Sequence, residues 1–127
     1  MTMAAVPKQS KPNDPNSIRA AWRAEHQAAD QARDAGHVDR EWEHLERAHI
    51  LSQPLPGPHV LTHVAMLRYA FRRRDPREIR GQVFRTLGAA PASATGRYPL
   101  GNTGGANVSP TAPMPIPSDL AGVLAPT

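Results

Sequence analysis

A proline-rich break, Pro54-Leu55-Pro56-Gly57-Pro58, is the feature that most restricts how this chain can fold. Proline lacks the N–H that a helix interior needs, and its ring collides with the preceding turn. The segments on either side, EWEHLERAHILSQ (41–53) and HVLTHVAM (59–66), must therefore become two helices. The loop between them is short enough to make them antiparallel neighbours. Four of the six histidines (His44, His49, His59 and His63) fall within residues 41–66, so whatever the histidines do is decided at this seam.

Glu46 and His49 are spaced i, i+3 on the first helix, and His59 and His63 are spaced i, i+4 on the second. Both spacings put the pair on one helix face, and the levels on either side of the loop match closely enough for one shared site. A Glu-x-x-His pair facing inward histidines is the way helical bundles build metal centres. Glu46, His49, His59 and His63 are therefore the candidate metal ligands, with Met66 and Glu25 as further candidates. Neutral imidazole and carboxylate suit zinc or iron, whereas a Met66 contact would favour copper. Imidazole must be neutral to coordinate, and its ordinary pKa of about 6.5 predicts an affinity that falls near pH 6. The plainer alternative is a hairpin whose polar residues satisfy one another, with Glu46 accepting from a buried histidine. His44 points away from the seam, and His26 and His37 read as surface residues.

The remaining helices follow from pattern and punctuation. Residues 1–15 are polar and proline-punctuated and read as a flexible arm. Asn16 or Ser17 can cap a helix running to about Ala35, with an apolar stripe of Ile18, Ala21, Trp22, Ala28, Ala29 and Ala32 and with Gly36 after its end. The second helix covers about 38–53 and the third about 58–74. Asp75-Pro76 ends the third and opens a fourth over about 76–89, whose core residues read as Ile79, Val83, Leu87 and Phe84. The expected fold is all-α, with two antiparallel helical hairpins spanning 16–90. The Ala28, Ala32, Gly36 spacing and the echo of Arg40-Glu41-Trp42 in Arg77-Glu78-Ile79 give it a tetratricopeptide-like look. From residue 91 to 127 the chain is rich in proline and glycine and reads as an extended tail. Val108, Met114, Ile116 and Leu120 are spaced along it to pack on the helices, and Ser118 is a cap for a short helix over 119–124.

The wording of HLERAHILSQ (44–53), of H-x-x-x-H-x-x-M (59–66), and of GNTGGANVS (101–109) with PMPIPSDL (113–120) resembles a bacterial family of small helical proteins, domain-of-unknown-function family 3703. The resemblance covers roughly residues 25–124. It implies a family-wide role for the tail, which composition alone would read as disordered, and it implies no mechanism.

Several function classes fall away. There is no cysteine, so disulfides, thiolate metal sites and cysteine nucleophiles are excluded. No apolar run approaches a membrane span, and the first residues lack the apolar segment of a signal peptide, so a cytoplasmic location is expected. Eight arginines between Arg68 and Arg97 account for much of the net charge of +4. Nucleic-acid binding would need stacking aromatics beside them, and only Tyr69 and Tyr98 are at hand, which argues against it. Gly101–Gly105 follows no predicted strand, so it is not read as a phosphate loop. The function expected from the sequence is transition-metal binding at the Glu/His seam. A metal-free protein-interaction module of tetratricopeptide type and a metal-dependent enzyme using the same residues remain open, and no catalytic residue is singled out.

Overall fold

The computed structural model describes residues 14–125, so most of the arm expected over 1–15 lies outside the described residues. Five helices follow in order: α1 (Pro15–Asp34), α2 (Val38–Ser52), α3 (Pro56–Arg73), α4 (Pro76–Thr95) and α5 (Ser118–Leu124). No strand occurs among the described residues. Helices α1 and α2 pack as one antiparallel hairpin and α3 and α4 as a second, and α2 lies against α3 between them. None of the helices is long and apolar enough to cross a membrane.

The caps explain most boundaries. Asp14, two or three residues earlier than expected, accepts from the Asn16 N–H and leaves Pro15 in the first turn, where its missing donor costs nothing. Asp75 accepts from the N–H groups of Arg77 and Glu78 and opens α4 at Pro76 in the same way. Pro56 starts α3, two residues before the expected position.

Helix α4 departs from expectation at its end and on its buried face. It continues through Pro91 to Thr95, where Gly96 closes it in the left-handed conformation. The last turn is held from outside the helix: the Ser93 hydroxyl donates to the Gln53 carbonyl at 2.5 Å and receives His59 Nδ1 at 2.7 Å. Those bonds offset the donor that Pro91 lacks, so the extended segment begins after residue 96 rather than at 91. The buried residues of α4 are Glu78, Gln82, Ala89 and Ser93. Val83, Phe84 and Leu87, expected in the core, are exposed, Phe84 by 78%.

Two apolar clusters hold the hairpins. One gathers Ile18, Ile50, Leu51, Leu55 and Leu120, with Trp22 and Ile116 packed on it, and so joins α1, α2 and α5. Leu120 and Ile116 belong to the proline-rich segment, which folds back over the helices through these contacts. The other contains Ala29, Leu45 and Met66 beside Trp42 and Tyr69. Trp22 Nε1 donates to Thr62 Oγ1 at 2.8 Å and ties α1 to α3. Between the hairpins and the segment 99–106 lies a third buried region, made of polar residues.

Candidate metal centre

His49 on α2 and His59 and His63 on α3 point into that region, each no more than 5% exposed. Their Nε2 atoms form a nearly equilateral triangle: 3.1 Å from His49 to His63, 3.2 Å from His59 to His49 and 3.2 Å from His63 to His59. The i, i+4 spacing on α3 and the tight Leu55 turn bring them to one level.

The other nitrogen of each ring is committed to an acceptor. His49 Nδ1 donates to the Asn102 carbonyl at 2.6 Å. His63 Nδ1 donates to Gln82 Oε1 at 2.6 Å, and that amide is oriented because its Nε2 donates to Glu78 and to the Gly104 carbonyl. His59 Nδ1 donates to Ser93 Oγ, whose own proton is engaged with Gln53, and the nearby Ala89 carbonyl favours the same proton. All three rings are thus fixed as the Nδ1–H tautomer, with an unshared pair on each Nε2. Lone pairs cannot hydrogen-bond to one another, so the short Nε2 separations are not hydrogen bonds. They leave three unshared pairs facing one another, close enough to hold a metal ion.

Burial sets the protonation state. It pushes His59 and His63 down to about 4, against partial upward pulls from the Ala89 carbonyl on His59 and from Gln82 on His63. Burial, followed by the neighbouring His63 and His59, holds His49 well below the ordinary histidine value, although the Asn102 carbonyl works the other way. The cluster is therefore neutral at pH 7, the state in which imidazole can act as a ligand.

The turn at 101–105 is shaped to this cluster. Gly104 has φ +85°, and a Cβ there would stand 2.6 Å from the His49 ring, so glycine is required both by conformation and by close approach. Asn102, 2% exposed, spans the turn: its Nδ2 donates to the carbonyls of Ser109 and Ala112 and its Oδ1 accepts from the Gly104 N–H. Gln53 binds the same turn through Pro99 and Gly101. Glu78 holds the next residues by accepting from the Ala106 N–H.

The other sequence candidates are placed elsewhere. Glu46 is half-buried and is not among the groups whose ligand atoms converge, which are His49, His59 and His63, all within 4.8 Å of one another. Burial raises its carboxyl pKa. The Thr103 hydroxyl nearby partly offsets the shift, although no hydrogen bond of ordinary geometry closes between them. Glu25 is occupied by His44 Nδ1 at 2.7 Å and Arg47 Nε at 2.9 Å, which also leaves His44 paired rather than solvated. Met66 lies in the apolar cluster with Ala29 and Leu45. Sequence reasoning missed Gln82, Ser93 and Asn102. For the first two a signal existed: Glu78, Gln82, Ala89 and Ser93 recur at intervals of four, seven and four residues, a single helical line. For Asn102 there was none, because its contribution to His49 is a backbone carbonyl.

A cleft of about 250 Å³ opens onto the three histidines. Arg85, Arg97 and Tyr98 line it together with apolar residues of α4 and the turn.

Fold and site together define an all-α hairpin protein with a buried cluster of three histidines close enough to hold a metal ion. The chain belongs to the family described as Protein of unknown function (DUF3703), whose model matches residues 16–124. No curated protein and no solved structure matches it.

Proposed function

We propose that the protein binds one divalent transition-metal ion, zinc or ferrous iron, through Nε2 of His49, His59 and His63. The observation that carries this reading is the convergence of three unshared pairs at 3.1–3.2 Å while every Nδ1 is spent on an acceptor. With bonds of about 2.0–2.1 Å, ligand nitrogens stand about 3.3 Å apart around a tetrahedral ion and about 2.9 Å apart on one face of an octahedral one. The observed spacing lies between the two. The acceptors on Nδ1 are the kind of support that metal-bound histidines use, since they fix the ring and raise its basicity. With Met66 in the apolar cluster, the donor set is three imidazoles, and the thioether that would favour copper is engaged elsewhere.

Three protein ligands leave at least one coordination position, and the adjacent cleft favours its use by a water or a small molecule. This supports a metal-dependent enzyme as a second reading. A metal-free interaction module is disfavoured, because it would leave three lone pairs facing one another in a buried space.

The test is the metal content of protein purified without a histidine tag, followed by titration with zinc, ferrous and cuprous ions. Wild type should take up one equivalent of zinc or ferrous iron, and a His49→Ala, His63→Ala double variant should take up none. Equally weak uptake by both proteins would end the metal reading.

A further inference from the structure

The cleft beside the histidines has a one-sided chemistry. Arg85 lines it, with Nη2 donating to the Val108 carbonyl at 2.9 Å. Its Nε is enclosed and has no hydrogen-bond partner. Among the described residues no carboxylate forms an ion pair with it. Glu78, whose charge it feels, is already spent on the Ala106 N–H and on Gln82. Arg97 adds a second guanidinium at the exposed rim. A divalent ion on three neutral imidazoles would add two further positive charges, with no acidic ligand to balance them. Such a site attracts an anion into the free coordination position.

The rest of the wall says what kind of anion. Phe84, Ala89, Ala92, Pro99 and Pro110 present carbon to the cleft, and Phe84 projects into solvent at its mouth. A bare inorganic ion would gain nothing from these surfaces, whereas a ligand with an apolar body would bury them. We propose, resting on the metal reading above, that the cleft binds a small organic monocarboxylate. Its carboxylate lies between the metal's free position and the Arg85 guanidinium, and its apolar body lies along Ala92, Pro110 and Phe84. Arginine suits this role because its planar fork matches a carboxylate.

The experiment uses the full chain loaded with cobalt(II), whose visible spectrum reports changes in coordination, titrated with acetate, benzoate and inorganic phosphate. Benzoate should perturb the spectrum at lower concentration than acetate, and phosphate should be the weakest. Arg85→Gln should weaken both carboxylates by about tenfold, the scale of a lost charge-assisted bond, while cobalt affinity without carboxylate changes little. Arg85→Lys should recover part of the loss. Because Arg85→Gln also removes the bond to Val108, Ala92→Leu serves as a second variant. It narrows the apolar wall and should weaken benzoate more than acetate, a selectivity that a loosened fold would not produce. Bound cobalt whose spectrum no carboxylate moves would overturn the carboxylate site and leave the metal reading standing. Tighter phosphate than benzoate, or unchanged binding by both variants, would overturn it equally. Absence of cobalt uptake by wild type would overturn both readings together.

Discussion

Two buried regions of this small protein are built on opposite principles. The cluster of Ile18, Ile50, Leu51, Leu55 and Leu120 is apolar throughout and draws its stability from area removed from water. The region around His49, His59 and His63 is as well buried, yet its supports are Gln53, Gln82, Ser93 and Asn102. In the first, any side chain of similar volume will nearly do. In the second, each group is satisfied by one particular partner, and losing a partner leaves a buried polar atom exposed to the full cost of desolvation. The first region should therefore carry the fold, and the second should respond sharply to protons, metal and single substitutions.

Acid should separate the two most widely. In metal-free protein His59 and His63 have pKa values of about 4. In the unfolded chain the histidine value is about 6.5. At pH 7 both states are neutral and nothing is lost. Below about 6.5 the unfolded chain takes up protons that the folded one refuses, so stability falls from there to about pH 4 and then levels. The loss approaches about 3 kcal/mol for each histidine. Urea midpoints between pH 7 and 5, a window above most carboxylates, should fall steadily, and saturating zinc should suppress the fall. Hydrogen exchange should show α4's last turn and residues 99–106 opening before α1 and α2. A flat midpoint, or opening of α1 first, would break the contrast. The same low values mean that zinc affinity should persist below pH 6, lower than the unperturbed histidine value suggested.

Leu51→Ala tests the apolar side. Leu51 is fully buried, and its truncation should cost about 2–5 kcal/mol in thermal or urea unfolding. Metal affinity of the folded fraction should be unchanged. Gly104→Ala should do the reverse. Its Cβ would strike the His49 ring and its backbone would be strained, so zinc affinity should fall about a hundredfold or more, with a smaller loss of thermal stability. Gln82→Leu, the mildest, should lower zinc affinity about 10–100-fold by freeing the His63 ring, and competition with a chelator would measure it. Equal losses of stability and affinity in all three variants would mean that the regions are one.

The contrast also explains which parts of the structure the sequence reveals. The helix pairs were legible because Pro54–Pro58, Gly36 and Asp75-Pro76 act locally. His49, His59 and His63 were legible because helical spacing fixes their faces. The buried face of α4 was not, since apolar periodicity pointed to Val83 and Leu87 while the hydrogen-bond demand of the histidines turned Gln82 and Ser93 inward. The passage of α4 through Pro91 was illegible for the same reason: the bonds that hold its last turn come from α2 and α3. Local rules fail here wherever a distant polar partner decides the outcome.

The carbonyl that orients His49 belongs to Asn102, 53 residues further along the chain. At ribosomal rates of about 5–20 residues per second, this stretch takes roughly 3–11 seconds to make. During that interval the first hairpin can form and both α3 histidines have been synthesised, but the His49 ring has no acceptor to choose its tautomer. The acceptor that sets the His49 tautomer is therefore present only once the chain has been made through residue 102. Chains ended between residues 63 and 102 carry all three histidines without that acceptor, so under the proposed metal reading zinc uptake should separate them from chains that include the turn.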